Sequence, residues 1–102
     1  MTFFLQATLT IKYGSLPQLV EVMTELVESN RERGLTMRGA YYPVVGDFTK
    51  VTHIWEIKDM ESLQAALEGI GSDPRTTAVI KRLSAIVEKE VLEVVMKTPY
   101  SP

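Results

Sequence analysis

The chain carries one histidine, His53, and one tryptophan, Trp55. They stand two residues apart in the run Val51-Thr52-His53-Ile54-Trp55-Glu56-Ile57. Residues two apart on a strand project from the same face, so an imidazole and an indole would share one side of a sheet. Imidazole titrates near neutral pH and can take or give a proton. Indole offers a flat apolar wall to an aromatic ligand. The same pair can also fill a core, with the histidine hydrogen-bonded to a neighbour. In the preceding segment Tyr41 shares parity with Met37 and Gly39, so it is expected to lend a phenol to the cavity that holds His53. Gly39 would leave room there that a larger side chain would close. Arg38 and Tyr42 have the other parity and are expected on the opposite face, where Arg38 can pair with Glu56 or hold an anionic ligand. His53 and Tyr41 are therefore the candidate catalytic residues, with Trp55, Met37, Gly39 and Arg38 as candidate ligand contacts.

Other chemistries find few residues to carry them. With zero cysteines, thiolate nucleophiles, disulfides and thiolate metal centres are excluded. A single histidine with no paired carboxylate near it is too poor a ligand set for a metal, so no metal or cofactor is expected. No Gly-x-Ser-x-Gly elbow occurs. Gly69-Ile70-Gly71 has no dinucleotide fingerprint around it and reads as a helix stop. The formal net charge is -2, and no basic cluster exists beyond Arg31, Arg33 and Arg38, so nucleic acid is not an expected partner. Nowhere do about 18 apolar residues run together, so no membrane span is expected. The start of the chain, Met1 to Leu9, lacks the basic region of a signal peptide, so a cytoplasmic location is expected. Glu88-Lys89-Glu90 reads as a solvated entry to a strand.

The elements that position these residues follow from periodicity. Phe3, Leu5, Ala7, Leu9 and Ile11 alternate with Phe4, Gln6, Thr8 and Thr10, the mark of a strand with unlike faces. Ser15 with Gln18 reads as a capping box, and Pro17 suits a first helical turn. Leu16, Leu19, Val20, Met23, Leu26 and Val27 then recur at helical spacing, with Gly34 as the C-terminal stop. Leu35 to Tyr42 and Thr49 to Ile57 read as two strands joined by a turn at Gly46-Asp47. Asp59 can cap a short helix with Met60, Leu63 and Leu67, ended by Gly69 and Gly71. Ser72-Asp73-Pro74 opens another helix with Val79, Ile80 and Leu83. Val87 to Met96 is the last strand, and Lys97 to Pro102 is a tail.

The order β-α-β-β-α-β, with its second helix split, is that of a ferredoxin-like α+β sandwich, an antiparallel sheet with helices on one face. At 102 residues there is room for one domain, read as 1–97 with a tail over 98–102. The helix-free face carries Gln6, Thr8, Thr10, Thr52, Ile54 and Glu56, neither fully apolar nor fully charged. Such a face suits two sheets meeting across a two-fold axis in a homodimer, or a solvated face in a monomer.

Three stretches resemble the NIPSNAP family. Thr8-Leu9-Thr10-Ile11-Lys12-Tyr13-Gly14 with Leu16 and Leu19 is similar to its opening strand, glycine turn and helix. Val51 to Ile57, followed by Leu63, is similar to its His-x-Trp strand, and Ser72-Asp73-Pro74 to its aspartate-proline helix start. Family members often carry a charged or arginine-bearing first strand, where this chain has Leu5 and Ala7. Thr52 to Leu63 also resembles, more distantly, the antibiotic-biosynthesis monooxygenases. The resemblance implies a dimeric α/β barrel. A pocket between sheet and helices bearing His53 and Trp55 suits a cofactor-independent isomerase, cyclase or monooxygenase of a small, partly aromatic organic metabolite, and a non-catalytic binding or assembly module would need the same pocket without a titrating group.

Overall fold

Among the described residues seven elements follow one another: β1 (Phe3–Ile11), α1 (Leu16–Glu32), β2 (Leu35–Tyr41), β3 (Lys50–Ile57), α2 (Met60–Ser72), α3 (Pro74–Ser84) and β4 (Val87–Met96). The computed structural model describes residues 2–102, apart from the side chains of residues 69–72. The strands form one antiparallel sheet in the order β2-β3-β1-β4. This is the ferredoxin-like α+β arrangement that the order of elements predicts. Among the described residues no helix is long and apolar enough to cross a membrane.

The two central strands set the layering. Leu5, Ala7, Leu9 and Ile11 of β1 are buried, as are Val51, His53, Trp55 and Ile57 of β3. They meet Leu19, Val22, Met23 and Leu26 of α1, Leu63 and Ala66 of α2, and Val79 and Leu83 of α3 in one core. Burying each of the larger aliphatic side chains contributes roughly 1.5–3 kcal/mol. The opposite-parity residues Gln6, Thr8, Thr10, Thr52, Ile54 and Glu56 are all half-buried on the helix-free face.

Several local expectations are corrected. Ser15 occupies the residue before α1, yet its hydroxyl makes no cap. Its backbone (φ -92°, ψ 5°) is not extended, and Oγ donates back to the Lys12 carbonyl at 2.6 Å, so no capping box with Gln18 forms. The buried stripe of α1 runs through Val22, while Val20 is exposed. Gly69 and Gly71 lie inside α2 and do not end it. The α3 start does follow expectation, since Asp73 accepts a hydrogen bond from the Arg75 amide at 3.0 Å and Pro74 opens the first turn. The Thr76 hydroxyl also donates to Asp73, at 3.0 Å, and Arg33 at the end of α1 forms an ion pair with it. These contacts hold the Asp73 carboxyl below its ordinary range, the Thr76 hydrogen bond most of all. Gly34, at φ 89°, supplies the left-handed residue after α1, and its missing Cβ leaves space for Ser62, whose Oγ would lie 2.6 Å away.

The two edges of the sheet differ from a flat, fully covered one. In β2 the register against β3 slips between Met37 and Gly39, which leaves Arg38 as the extra residue of a β-bulge. In β4 the helix-side residues Leu92, Val94 and Met96 are 45%, 47% and 52% exposed, because the helices cover β1 and β3 and leave this strand open. Beyond β4 the tail folds back on itself, with Lys97 Nζ donating to the Pro102 carbonyl at 2.9 Å.

Candidate functional site

His53 sits at the centre of the covered face. It is 4% exposed, and among the described residues its ring makes no hydrogen bond. Its ring meets that of Trp55 edge-to-face, with centroids 6.3 Å apart and planes at 89°. Burial pushes the imidazole pKa below its ordinary value, so the ring is neutral at pH 7. A neutral imidazole keeps one nitrogen lone pair available to accept a proton.

Two hollows meet at this residue. An inner chamber of about 100 Å³ lies between sheet and helices, lined by Ala7, Trp55, Leu63, Thr76 and Leu92 among others. An outer groove of about 560 Å³ runs between the first half of α1 and the β2 edge, lined by Leu16, Val20, Thr24, Ala40, Tyr42 and Val51. His53 and Met23 line both. The register explains the openings. Ala7 stands between His53 on β3 and Leu92 on β4, and its single methyl leaves the inner chamber unfilled. Ala40 stands opposite His53 on the other side and is exposed, so the groove remains open above the imidazole.

The bulge at Arg38 redistributes the candidates from β2. Met37 pairs with Trp55 and packs on the core, as its parity requires. After the slip, Gly39 pairs with Ile54 and Tyr41 with Thr52, residues of the helix-free face. Tyr41 therefore does not share a face with Met37 and Trp55, as simple alternation predicts. Its exposed ring lies over Gly39, where an added Cβ would come within 2.6 Å of the phenol oxygen. The space Gly39 leaves thus accommodates Tyr41 and not the chamber. Tyr41 still borders the outer groove at its rim. Tyr42, expected on the opposite face, turns to the same groove; its hydroxyl donates to the Phe48 carbonyl at 2.9 Å and its ring packs against Phe48. Arg38 reaches Glu56 on the helix-free face with Nε–Oε1 and Nη2–Oε2 contacts of 3.3 and 3.4 Å. The expected pairing of Arg38 with Glu56 is present.

One residue that sequence reasoning set aside lines the inner chamber. Glu90 pairs with Leu9 on the helix side of β4. Although much of the residue is open to solvent, burial raises its carboxyl pKa above the ordinary value. The alternation Glu90, Leu92, Val94, Met96, read against Leu9, Ala7, Leu5 and Phe3, is the signal that finds it, since it puts the carboxyl at the end of an apolar row.

A NIPSNAP family model matches residues 5–102. No curated protein matches the chain. Among solved structures, a NIPSNAP family protein of unknown function from Agrobacterium tumefaciens superposes with a TM-score of 0.85 at 19% identity, covering 99% of this chain and 92% of that one. An uncharacterized NIPSNAP domain protein from Burkholderia xenovorans gives a TM-score of 0.78 at 18% identity, covering 98% of each chain. An antibiotic biosynthesis monooxygenase gives 0.67 at 18% identity over 95% of this chain and 99% of that one.

Proposed function

We propose that this chain, which belongs to the NIPSNAP family, is a cofactor-independent enzyme that moves a proton on a small, partly aromatic organic metabolite, working as a homodimer. The observation that carries the reading is His53: a buried, neutral imidazole with no hydrogen bond among the described residues, placed where chamber and groove meet. The ring nitrogens are not sealed in the core but open onto these hollows, where a hydrogen-bond partner can reach them. A ligand group arriving at the junction would supply that partner. In this reading His53 accepts the proton, the Trp55 wall keeps the reacting end dry, and the apolar body of the ligand lies in the groove beneath the rim formed by Tyr41 and Tyr42.

The groove also supports a second reading. A hollow of about 560 Å³ with an apolar lining suits a small organic ligand, and binding needs no titrating group. A non-catalytic binding module would use it equally well. His53→Ala and Trp55→Phe, assayed for binding and for turnover, separate the two. Under the enzymatic reading His53→Ala keeps the fold and lowers turnover by about 10²–10⁴-fold, the usual contribution of a general acid–base group. A variant that binds and turns over like the parent chain removes His53 from the chemistry.

A further inference from the structure

Glu90 and His53 enter one chamber from opposite sides of β1. His53 pairs with Ala7 from β3, and Glu90 pairs with the next inward residue, Leu9, from β4. Adjacent strands lie about 4.8 Å apart, so β3 and β4 are separated by roughly 10 Å. Among the described residues the two side chains form no hydrogen bond with each other. Both line the chamber, whose volume of about 100 Å³ equals only a few water molecules at roughly 30 Å³ each. It therefore takes the reacting end of a ligand, a carbonyl with its neighbouring carbon, while the groove on the other side of His53 takes the remainder.

Resting on the proton-transfer reading above, we infer that Glu90 is the acid to His53's base, and that the substrate class is an enolisable ketone attached to an aromatic or other apolar body. A base and an acid facing one carbonyl from opposite sides suit this step. Burial disfavours the charged form of each, which keeps the imidazole unprotonated and favours a protonated carboxyl. His53 takes a proton from the carbon next to the carbonyl, and the C–H electron pair becomes the C=C bond of the enol. Glu90 gives its proton to the carbonyl oxygen, which receives the former C=O π pair, and is left as carboxylate. Return of a proton from the imidazolium to the same or a conjugated carbon, with return of the enol proton to Glu90, gives an exchanged or isomerised ketone and regenerates both groups. No electron acceptor or second substrate enters the balance.

Deuterium incorporation from D₂O at the α-carbon of phenylacetone, followed by NMR, reads this step directly, and quenching of Trp55 fluorescence reads binding of the same probe. The parent chain is expected to quench and to catalyse exchange. Glu90→Gln is expected to quench equally and to exchange about 10²–10⁴-fold more slowly. Glu93→Gln, on the opposite face of the same strand opposite Gln6, should exchange at the parent rate. Exchange by Glu90→Gln at the parent rate overturns the role of Glu90. Quenching without exchange in the parent chain overturns the enolisation step and leaves the chamber as a binding site only. No quenching across a series of aryl ketones overturns the inference together with the reading on which it rests.

Discussion

The imidazole of His53 stands edge-on to the indole of Trp55, with ring centroids 6.3 Å apart and planes at 89°. Both residues are 4% exposed and lie on adjacent inward positions of β3. The contact fixes the imidazole against an apolar wall and ties the only intrinsic fluorophore of tryptophan type to the candidate base. A ligand that enters the inner chamber meets both His53 and Trp55.

Trp55 emission is expected to be blue-shifted in the free protein and to be quenched by aromatic metabolites that enter the groove or chamber. A broad panel of such metabolites, titrated against the single tryptophan, checks this. Silence throughout the panel would argue for a purely structural or assembly role.

Trp55→Ala should lower unfolding stability by about 3–5 kcal/mol, the usual cost of emptying a large aromatic site in a core. Trp55→Phe should cost less, since most of the packing survives. Denaturant titration followed by circular dichroism measures both. Equal stability of all three chains would mean that Trp55 is not the core element its burial implies.

Stability should change with pH in windows of different sign. The His53 pKa is lowered on folding, so the unfolded chain binds more protons near and below its ordinary value of 6.5, and stability falls as pH drops through that region. His53→Gln should abolish that part of the slope. Glu90, raised on folding from an ordinary 4.5, works in the opposite sense: its effect disfavours folding once pH rises through the folded pKa, and Glu90→Gln should remove it. Asp73 is lowered, so what it contributes is present above about pH 3.8 and is lost as pH falls through its folded value. Urea melts from pH 3 to 8 on the parent chain and the two variants separate the windows.

Gly34→Ala should destabilise by about 1–2 kcal/mol, because φ is 89° and the new Cβ would press on Ser62. Gly39→Ala should cost less, since the atoms it meets belong to the exposed Tyr41 ring, which can swing away. Thermal melts of the two variants check the order; a larger loss at Gly39 would mean that Tyr41 is held in place.

The helix-free face bearing Thr8, Thr10, Thr52 and Ile54 is proposed to meet its copy in a homodimer. Sedimentation equilibrium at micromolar concentration should give twice the chain mass of 11.5 kDa. A single-chain mass would sink this proposal without touching the reading of His53.

Much of the molecule was legible from residue order because the information is local. Alternation along β1 and β3 fixes which residues point inward, and a strand cannot turn half of them over without losing the burial of Leu5, Leu9, Val51 and Trp55. Asp73-Pro74 and Gly34 mark helix ends by their own backbone chemistry. His53 beside Trp55 follows from the same alternation. What the tertiary structure decided is where alternation is interrupted and which strand goes uncovered. Gly39 inside the strand permits a bulge without fixing one, and the one extra residue moves Tyr41 to the other face, so that it meets the groove of His53 only at the rim. Likewise Glu90, still largely open to solvent, is seen to border the chamber only once β4 is paired beside Leu9 and Ala7. Register and layer coverage depend on distant segments meeting, so the place of Glu90 beside the chamber emerges only once the sheet is assembled.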